Sequence, residues 1–548
     1  MKLSTIISAL ALAPSAFGLS TSPTVKINNG TILGRHLPEY DQDLFLGIPF
    51  AQPPTGELRF NLPKAINETW KEPFNATEYG PICLQFPTTP PLGLPQSEDC
   101  LSLNIVRPAN ISSDARLPVL VYLYGGGFHE GGSADGSYNT SFLVKNSVQM
   151  RQPVIMVTLN YRLSGFGLLA GEIMKNQGLA NIALHDQRMA FQWIQDNIGA
   201  FGGDNNKVTI QGESAGAISV GYHLLAYNGR DDGLFQAAIC QSGGPWFFAA
   251  YTSTEDQDKA FQTLLNATDC TNAVDPVSCL RAAPLDILNA TMFKLDFLPI
   301  VDGGIIPTYN SVALKRGNFV KVPLLIGSNT DDGSLFAGFG TNTTEEFRAF
   351  VKSNGYVKVA DNETVDLMVE AYPYIANESM TLPAPYGDQV SRARTYTGDV
   401  YFTAGRRFAC EQWTDYGVPC YSYRFDTYPL VVDPLLLGVA HFEEVAFVFN
   451  NIIGTGRLTS AFETNETSIR QRYEDLSQVM SQMWLSFAST HDPNNHRVKS
   501  FSPHWPRYDI EQPQNIVLNA TAGSWVENDD YRKEGMRLLV ERALSFYR

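Results

Sequence analysis

Short, unbroken apolar runs recur through the middle of the chain, separated by longer amphipathic stretches. Leu117 to Tyr124 and Pro153 to Asn160 read as buried strands. Leu179 to Ala200 reads as a helix, Val208 to Gln211 as a strand, Ala215 to Leu225 as a helix and Ala237 to Gln241 as a strand. Val322 to Gly327 and Val418 to Arg424 look like later strands of the same sheet. Strands that are apolar throughout and lie between helices belong to sheets covered on both faces, which are mostly parallel. The expected class is therefore α/β, with a large, mostly parallel central sheet and helices on both faces. Catalytic groups on such a sheet sit on loops at the carboxyl ends of the strands. No linker, internal repeat or low-complexity block divides the 548 residues, so one catalytic domain with insertions is expected over residues 19–548.

The first residues read as an address. Lys2 precedes the apolar run Leu3 to Leu12, followed by Pro14 and the small-residue pattern Ala16-Phe17-Gly18. This is the pattern of a secretory signal peptide over residues 1–18, cleaved near Gly18–Leu19. No later apolar stretch is long enough to span a bilayer, and Tyr531 to Arg548 is charged and amphipathic. A secreted, extracellular protein is expected. Asn-x-Ser/Thr sequons occur at Asn29, Asn67, Asn75, Asn110, Asn139, Asn266, Asn289, Asn342, Asn362, Asn377, Asn465 and Asn519, as a surface exposed to a eukaryotic secretory pathway would carry them. Cys83 and Cys100 bracket a Pro-rich loop and Cys270 and Cys279 a short one; both look like local disulfides of an oxidising compartment. Cys240 lies in an apolar strand and reads as a buried free thiol, while Cys410 and Cys420 either pair or stay free. The formal net charge is −16. With no basic cluster interleaved with aromatics, the chain has no electrostatic footprint for nucleic acid.

Chemistry enters at Gly212-Glu213-Ser214-Ala215-Gly216, between the apolar run Val208-Thr209-Ile210 and the helix from Ala217. In a strand–turn–helix setting G-x-S-x-G is a nucleophile elbow: glycines admit a strained tip residue, and the helix starts beneath it with free N–H groups. Alone, the pattern is equally that of a Gly-rich turn with an exposed serine. A serine hydroxyl needs a contacting base, an acid to hold the base, and donors for the oxyanion. Tyr124-Gly125-Gly126-Gly127-Phe128 follows a strand and can aim backbone N–H groups into a cavity; it fits neither phosphate-cradle pattern. Of eight histidines, His441 in Gly438-Val439-Ala440-His441-Phe442 lies downstream of the serine and of the eligible acids. Those acids, Asp331 and Asp332, sit on the loop after Leu324-Leu325-Ile326-Gly327.

The constellation resembles the type-B carboxylesterase and cholinesterase family of α/β-hydrolases, including its secreted fungal esterases and lipases. The matching segments run in order over most of the mature chain: Gly47 to Ala51, Leu58-Arg59-Phe60, Glu98 to Asn104, Tyr124 to Phe128, Asn160-Tyr161-Arg162, Phe201 to Asp204, the Ser214 elbow, Pro299 to Gly303, Thr330 to Gly333 and Gly438 to His441. The resemblance implies an α/β-hydrolase fold with Ser214 as nucleophile, His441 as base and Asp332 as acid. It implies Gly126, Gly127 and Ala215 as oxyanion donors, disulfides Cys83–Cys100 and Cys270–Cys279, and buried ion pairs Arg59–Glu98 and Arg162–Asp186. Glu213 then stands beside the histidine, either stabilising imidazolium or in a hydrogen-bonding role behind it.

The chain departs from the family in three places. Aspartate stands at 332 where the family usually has glutamate, so its loop must approach His441 more closely. The Cys83–Cys100 loop is short and lacks tryptophan, which argues against choline esters and a large lipase-type flap. An ungapped reading back from Pro299 puts Phe293 and Leu295 at acyl-pocket positions, where leucine leaves more room. Phe128, Trp246, Phe247 and Phe248 are further candidate wall residues. The expectation is an esterase working through an acyl-enzyme on a small-molecule or lipid ester, with no metal or cofactor. A lipase acting at an interface, a narrow secondary-metabolite esterase and a non-catalytic adhesion module are the alternatives.

Overall fold

The apolar runs assemble into the centre of one 11-stranded sheet. In the computed structural model, residues 22–85, 93–246, 251, 253–375, 386–431, 433–498 and 503–548 are described. The expected signal peptide, Phe247, Phe248, the Asn377 sequon and part of the Cys83–Cys100 loop lie outside them. The strands are β1 (Arg35–Leu37), β2 (Gln42–Pro49), β3 (Ser102–Pro108), β4 (Leu117–Leu123), β5 (Ile155–Leu159), β6 (Gly203–Glu213), β7 (Ala237–Gln241), β8 (Leu324–Asn329), β9 (Cys420–Phe425), β10 (Gln514–Leu518) and β11 (Trp525–Asn528). Their spatial order is β11-β10-β9-β8-β7-β6-β4-β5-β3-β2-β1.

From β5 through β10 every ladder is parallel. These strands are buried at nearly every position, as burial on both faces requires. The two margins are antiparallel, so the sheet is mixed. The sequence pattern did not announce the β1–β3 margin because buried polar residues interrupt it. Asp43 on β2 pairs with Arg107 on β3 at 3.3 Å, and Arg107 Nη1 donates to the Phe201 carbonyl at 2.9 Å.

Six helices matter for the site: α1 (Ile182–Asn197), α2 (Ala215–Gly229), α3 (Val390–Gly398), α4 (Ala404–Asp415), α5 (Glu444–Val448) and α6 (Thr467–Thr490). Regular helix geometry in α2 is lost at Ala226 to Asn228, where the sequence pattern also ended. A single π-helical turn, Asp399–Thr403, joins α3 to α4. Disulfides link Cys83–Cys100, Cys270–Cys279 and also Cys410–Cys420; Cys240 is free and buried. Both ion pairs implied by the resemblance form: Arg59 grips Glu98 through Nε and Nη2 at 2.6 and 2.8 Å, and Arg162 grips Asp186 at 2.8 and 2.6 Å.

The helical wall formed by α4 is tied to the β10–β11 edge by a buried carboxylate. Asp529 accepts from Arg406, Arg407, Tyr508 and Asn515 at 2.7 to 3.1 Å. Arg406 is 1% exposed and Asp529 not at all. Asp529→Ala would leave two buried guanidinium groups unpaired and is expected to cost ~3–5 kcal/mol, read as a fall in the urea midpoint at constant slope.

Candidate active site

At the end of β6 the chain turns through Ser214, whose φ of 53° and ψ of −125° are left-handed and strained. The turn is possible because of its neighbours. A Cβ on Gly212 would lie 2.2 Å from the Gly216 carbonyl carbon, and one on Gly216 would lie 2.1 Å from the Leu123 carbonyl oxygen. The strained tip is held by the Ser214 N–H donating to Gln241 O at 2.9 Å, and by Ile218 N–H donating to Ser214 O at 2.9 Å. Ala215 opens α2, so its N–H is among those a helix leaves unsatisfied at its start.

The glycine loop after β4 lies directly against this turn: a Cβ on Gly125 would sit 2.9 Å from the Ser214 Cβ. Gly126 and Gly127 have φ of 91° and 62°. A side chain at Gly126 would meet the Glu130 carbonyl at 2.3 Å, so this loop geometry demands glycine there. Among the described residues, none accepts a hydrogen bond from the N–H of Gly126 or Gly127. Gly126, Gly127 and Ala215 thus present unspent backbone donors around the serine.

His441 and Asp332 meet across two loops. His441 Nδ1 lies 2.9 Å from Asp332 Oδ1. Asp332 is fully buried, and its Oδ2 accepts from Ser242 Oγ at 2.8 Å and from the Asn329 N–H at 2.7 Å. Asp331 points elsewhere: its Oδ2 accepts the Val439 N–H at 2.8 Å, while its own N–H donates to Val439 O at 3.0 Å. That bridge ties the two loops together beside Asp332. The imidazole is further confined by rings. Phe402, on the π-helical turn, stacks on it at 4.8 Å and 25°, and Phe336 meets it edge-on at 5.1 Å. A π-turn at a functional site is a recurrent arrangement.

On the far side of the ring, Nε2 lies 3.2 Å from Glu213 Oε1, without the alignment of a hydrogen bond. Nε2 makes no hydrogen bond among the described residues. A third carboxylate, Glu444 at the start of α5, is held by Asn329 Nδ2 at 2.8 Å and Gln241 Nε2 at 3.1 Å. Burial opposes the imidazolium, yet Glu213 first, then Asp332 and Glu444, overcome it and push His441 up to about 9. Burial also pushes Glu213 well above the carboxylate range, with His441 pulling it back. Imidazole and carboxylate therefore titrate as one coupled pair. Chemistry that uses His441 as a base needs it neutral. Removing the Glu213 charge lowers the pH at which it becomes so. Glu213→Gln is expected to move the acid limb of kcat/KM toward lower pH; a limb that stays put would show that Glu213 does not act on the imidazole.

The expected wall residues divide. Phe128 is fully buried, with φ of 66° and its carbonyl accepting the Ser164 N–H. Buried in the core, it presents no surface to a ligand. Trp246 is 4% exposed and packs edge-on against Phe408 of α4 at 5.5 Å. Phe293 and Leu295 lie half-buried just past helix Leu285–Met292. Sequence reading missed Ser242, Asn329, Gln241, Glu444, Phe336 and Phe402. A signal existed for some: Ser242-Gly243-Gly244 directly follows a strand, and Glu444 opens an otherwise apolar run. Phe402 had none, because only the π-turn aims it. Among the described residues, no group of three or more His, Cys, Asp or Glu could hold a metal ion.

The Carboxylesterase family matches residues 21–535. Lipase 2 of Diutina rugosa is 30% identical, the match covering 98% of this chain and 100% of that protein. Secreted lipase 1 of Botryotinia fuckeliana is 31% identical, covering all of both chains. The acetylcholinesterase of Bungarus fasciatus is 34% identical over 90% of this chain and 82% of its own. Of solved structures, Aspergillus niger EstA superposes with a TM-score of 0.83 at 28% identity, over 96% of this chain and 99% of that one. With a family match over nearly its whole length, relatives of 30% identity or more matched along their whole length, and a solved structure superposing over 96% of it, the chain belongs to the carboxylesterase family, as a carboxylic ester hydrolase of the α/β-hydrolase fold.

Proposed function

We propose that Ser214, His441 and Asp332 form the triad of a secreted esterase working through an acyl-enzyme. The observation that carries the reading is the 2.9 Å contact between His441 and buried Asp332, made where His441 Nε2 reaches the residue before Ser214. His441 Nε2 takes the Ser214 proton as Oγ attacks the ester carbonyl; catalytic hydrogen bonds of this kind tighten when substrate is bound. The oxyanion forms between the N–H groups of Gly126, Gly127 and Ala215, where one donor is worth ~3 kcal/mol of barrier. His441 then protonates the leaving alcohol. Water, deprotonated by His441, attacks the acyl carbonyl; the acyl–Oγ bond then breaks as His441 returns that proton to Ser214 Oγ, which releases the acid and the free serine. Asp332 accepts the Nδ1–H throughout, which keeps Nε2 as the base.

Secretion is supported by the Lys2-to-Gly18 pattern, by three disulfides and by a relative named as a secreted lipase. Among the described residues no helix is long and apolar enough to cross a membrane. The sequons are proposed glycan sites on the same basis, and residues 19–548 are proposed to act as one domain. The test of the site is a fluorophosphonate probe on the purified protein. We expect one adduct, on a peptide containing Ser214; a label elsewhere, or none, would overturn the reading. An adhesion protein without catalysis would not be labelled.

The lipase reading is favoured by the relatives that carry that name. It predicts a jump in rate as a triglyceride passes its solubility limit. Saturation with no jump selects the esterase reading.

A further inference from the structure

The residue after His441 has a backbone that its side chain disfavours. Phe442 has φ of 76°, which for a bulky residue is a true outlier and persists only where the surroundings enforce it. Its carbonyl is held by the Val445 N–H of α5 at 3.3 Å and by one side chain, Arg457. Arg457 Nη2 donates to the Phe442 carbonyl at 3.1 Å, and its guanidinium lies over the Phe442 ring at 4.8 Å. Its Nη1 donates to Glu443 Oε2 at 3.1 Å. On the other side, Tyr138 meets the Phe442 ring edge-on at 6.0 Å.

Arg457 is itself fixed. Fully buried Asn451 donates to Thr455 O at 2.8 Å and accepts from the Thr455 N–H at 2.9 Å, which rolls up the loop. The Arg457 N–H donates to Gly454 O at 3.1 Å. Ser137 Oγ donates to Gly456 O at 3.1 Å, so the loop is wedged between the Gly136–Tyr138 turn and the His441 turn. The Arg457 and Glu443 side chains are only 12% and 19% exposed.

We propose that Arg457 is a positioning residue for ester hydrolysis, clamping the strained Phe442 peptide so that the His441 imidazole stays between Asp332 and the elbow. Without the clamp, Phe442 relaxes toward negative φ. The peptide plane joining 441 to 442 then turns, and the ring leaves the Asp332 carboxylate. The inference rests on His441 as the base.

The test is a double-mutant cycle in kcat, normalised to Ser214 sites titrated with the fluorophosphonate, so that misfolded molecules drop out. Arg457→Met keeps the aliphatic stem over Phe442 and removes the guanidinium. We expect kcat to fall ~10- to 100-fold, the scale of a base displaced by about an ångström, with KM within about twofold. Phe442→Gly places at this φ the one residue that adopts it freely. In that background the same Arg457→Met change is expected to cost under ~3-fold, since no strain remains to be held. A merely structural arginine would lower the melting temperature equally in both backgrounds and leave kcat per titrated site unchanged. That result, or an equal kcat loss in both backgrounds, overturns the clamp. Should Arg457→Met fail to fold, Arg457→Lys keeps a cation beside Glu443 but loses the fork and the stacking, and carries the same comparison. Failure of the unaltered protein to label at Ser214 would overturn the site reading, whereas a flat cycle with labelling intact overturns only the clamp.

Discussion

Replacing Ser214 with alanine is expected to lower kcat for a nitrophenyl ester by roughly six orders of magnitude, the loss seen when a triad serine is removed alone. The fold should be untouched. Alanine carries the same Cβ as serine, so the contacts around the φ of 53° are unchanged, and the turn is held by backbone bonds to Gln241 and Ile218 rather than by the hydroxyl. The proposed oxyanion donors also remain, so a residual rate above water is expected. The measurement pairs burst and steady-state hydrolysis with a thermal melt. Turnover near that of the parent, with an unchanged melt, would remove Ser214 from the chemistry.

The second large effect separates two neighbouring carboxylates. Asp332→Asn keeps the size of the side chain. Its carbonyl oxygen should take the side facing Ser242 Oγ and the Asn329 N–H, because both are donors. The amide NH2 would then face His441 Nδ1, favouring the tautomer with hydrogen on Nε2, which cannot act as base. A loss of ~10⁴ in kcat is expected, as for a triad aspartate turned to asparagine. Asp331→Asn disturbs only the bridge to Val439 and should cost less than ~10-fold, the size of one misplaced hydrogen bond. If Asp331→Asn proves the more damaging change, the acid has been misassigned.

The two experiments bear on the same physical point. The site holds three buried carboxylates around one imidazole, and a cation stabilised that strongly is a poor base until it loses its proton. Asp332 orients the ring through a direct bond, whereas Glu213 acts on it through charge. The shift of the acid limb expected for Glu213→Gln and the loss of rate expected for Asp332→Asn are therefore different in kind.

The sequence by itself determined the parallel centre of the sheet and the elbow at the end of β6. Both are local facts. An unbroken apolar run is a strand buried on two faces, and paired glycines around a serine permit one strained turn. It also supplied two eligible acids, and chain order left His441, His491, His496 and His504 as histidines downstream of both, among which the family resemblance singled out His441. The loop residues leave Asp331 and Asp332 equally eligible and the resemblance favours Asp332; the tertiary structure shows Asp332 facing the ring and Asp331 turned to Val439, because the two carboxylates leave one loop in different directions. The antiparallel margins were equally hidden, for Asp43 and Arg107 satisfy each other only across two strands. The pairing of Cys410 with Cys420 depends on the middle of α4 packing against the start of β9. Phe402 over the imidazole depends on one π-turn, and Arg457 under Phe442 on a loop that Asn451 rolls up from within. Asp43 with Arg107 and Phe402 with His441 join segments distant in sequence, and the nearer pairs depend on how a helix or loop packs, so no local pattern carries the information.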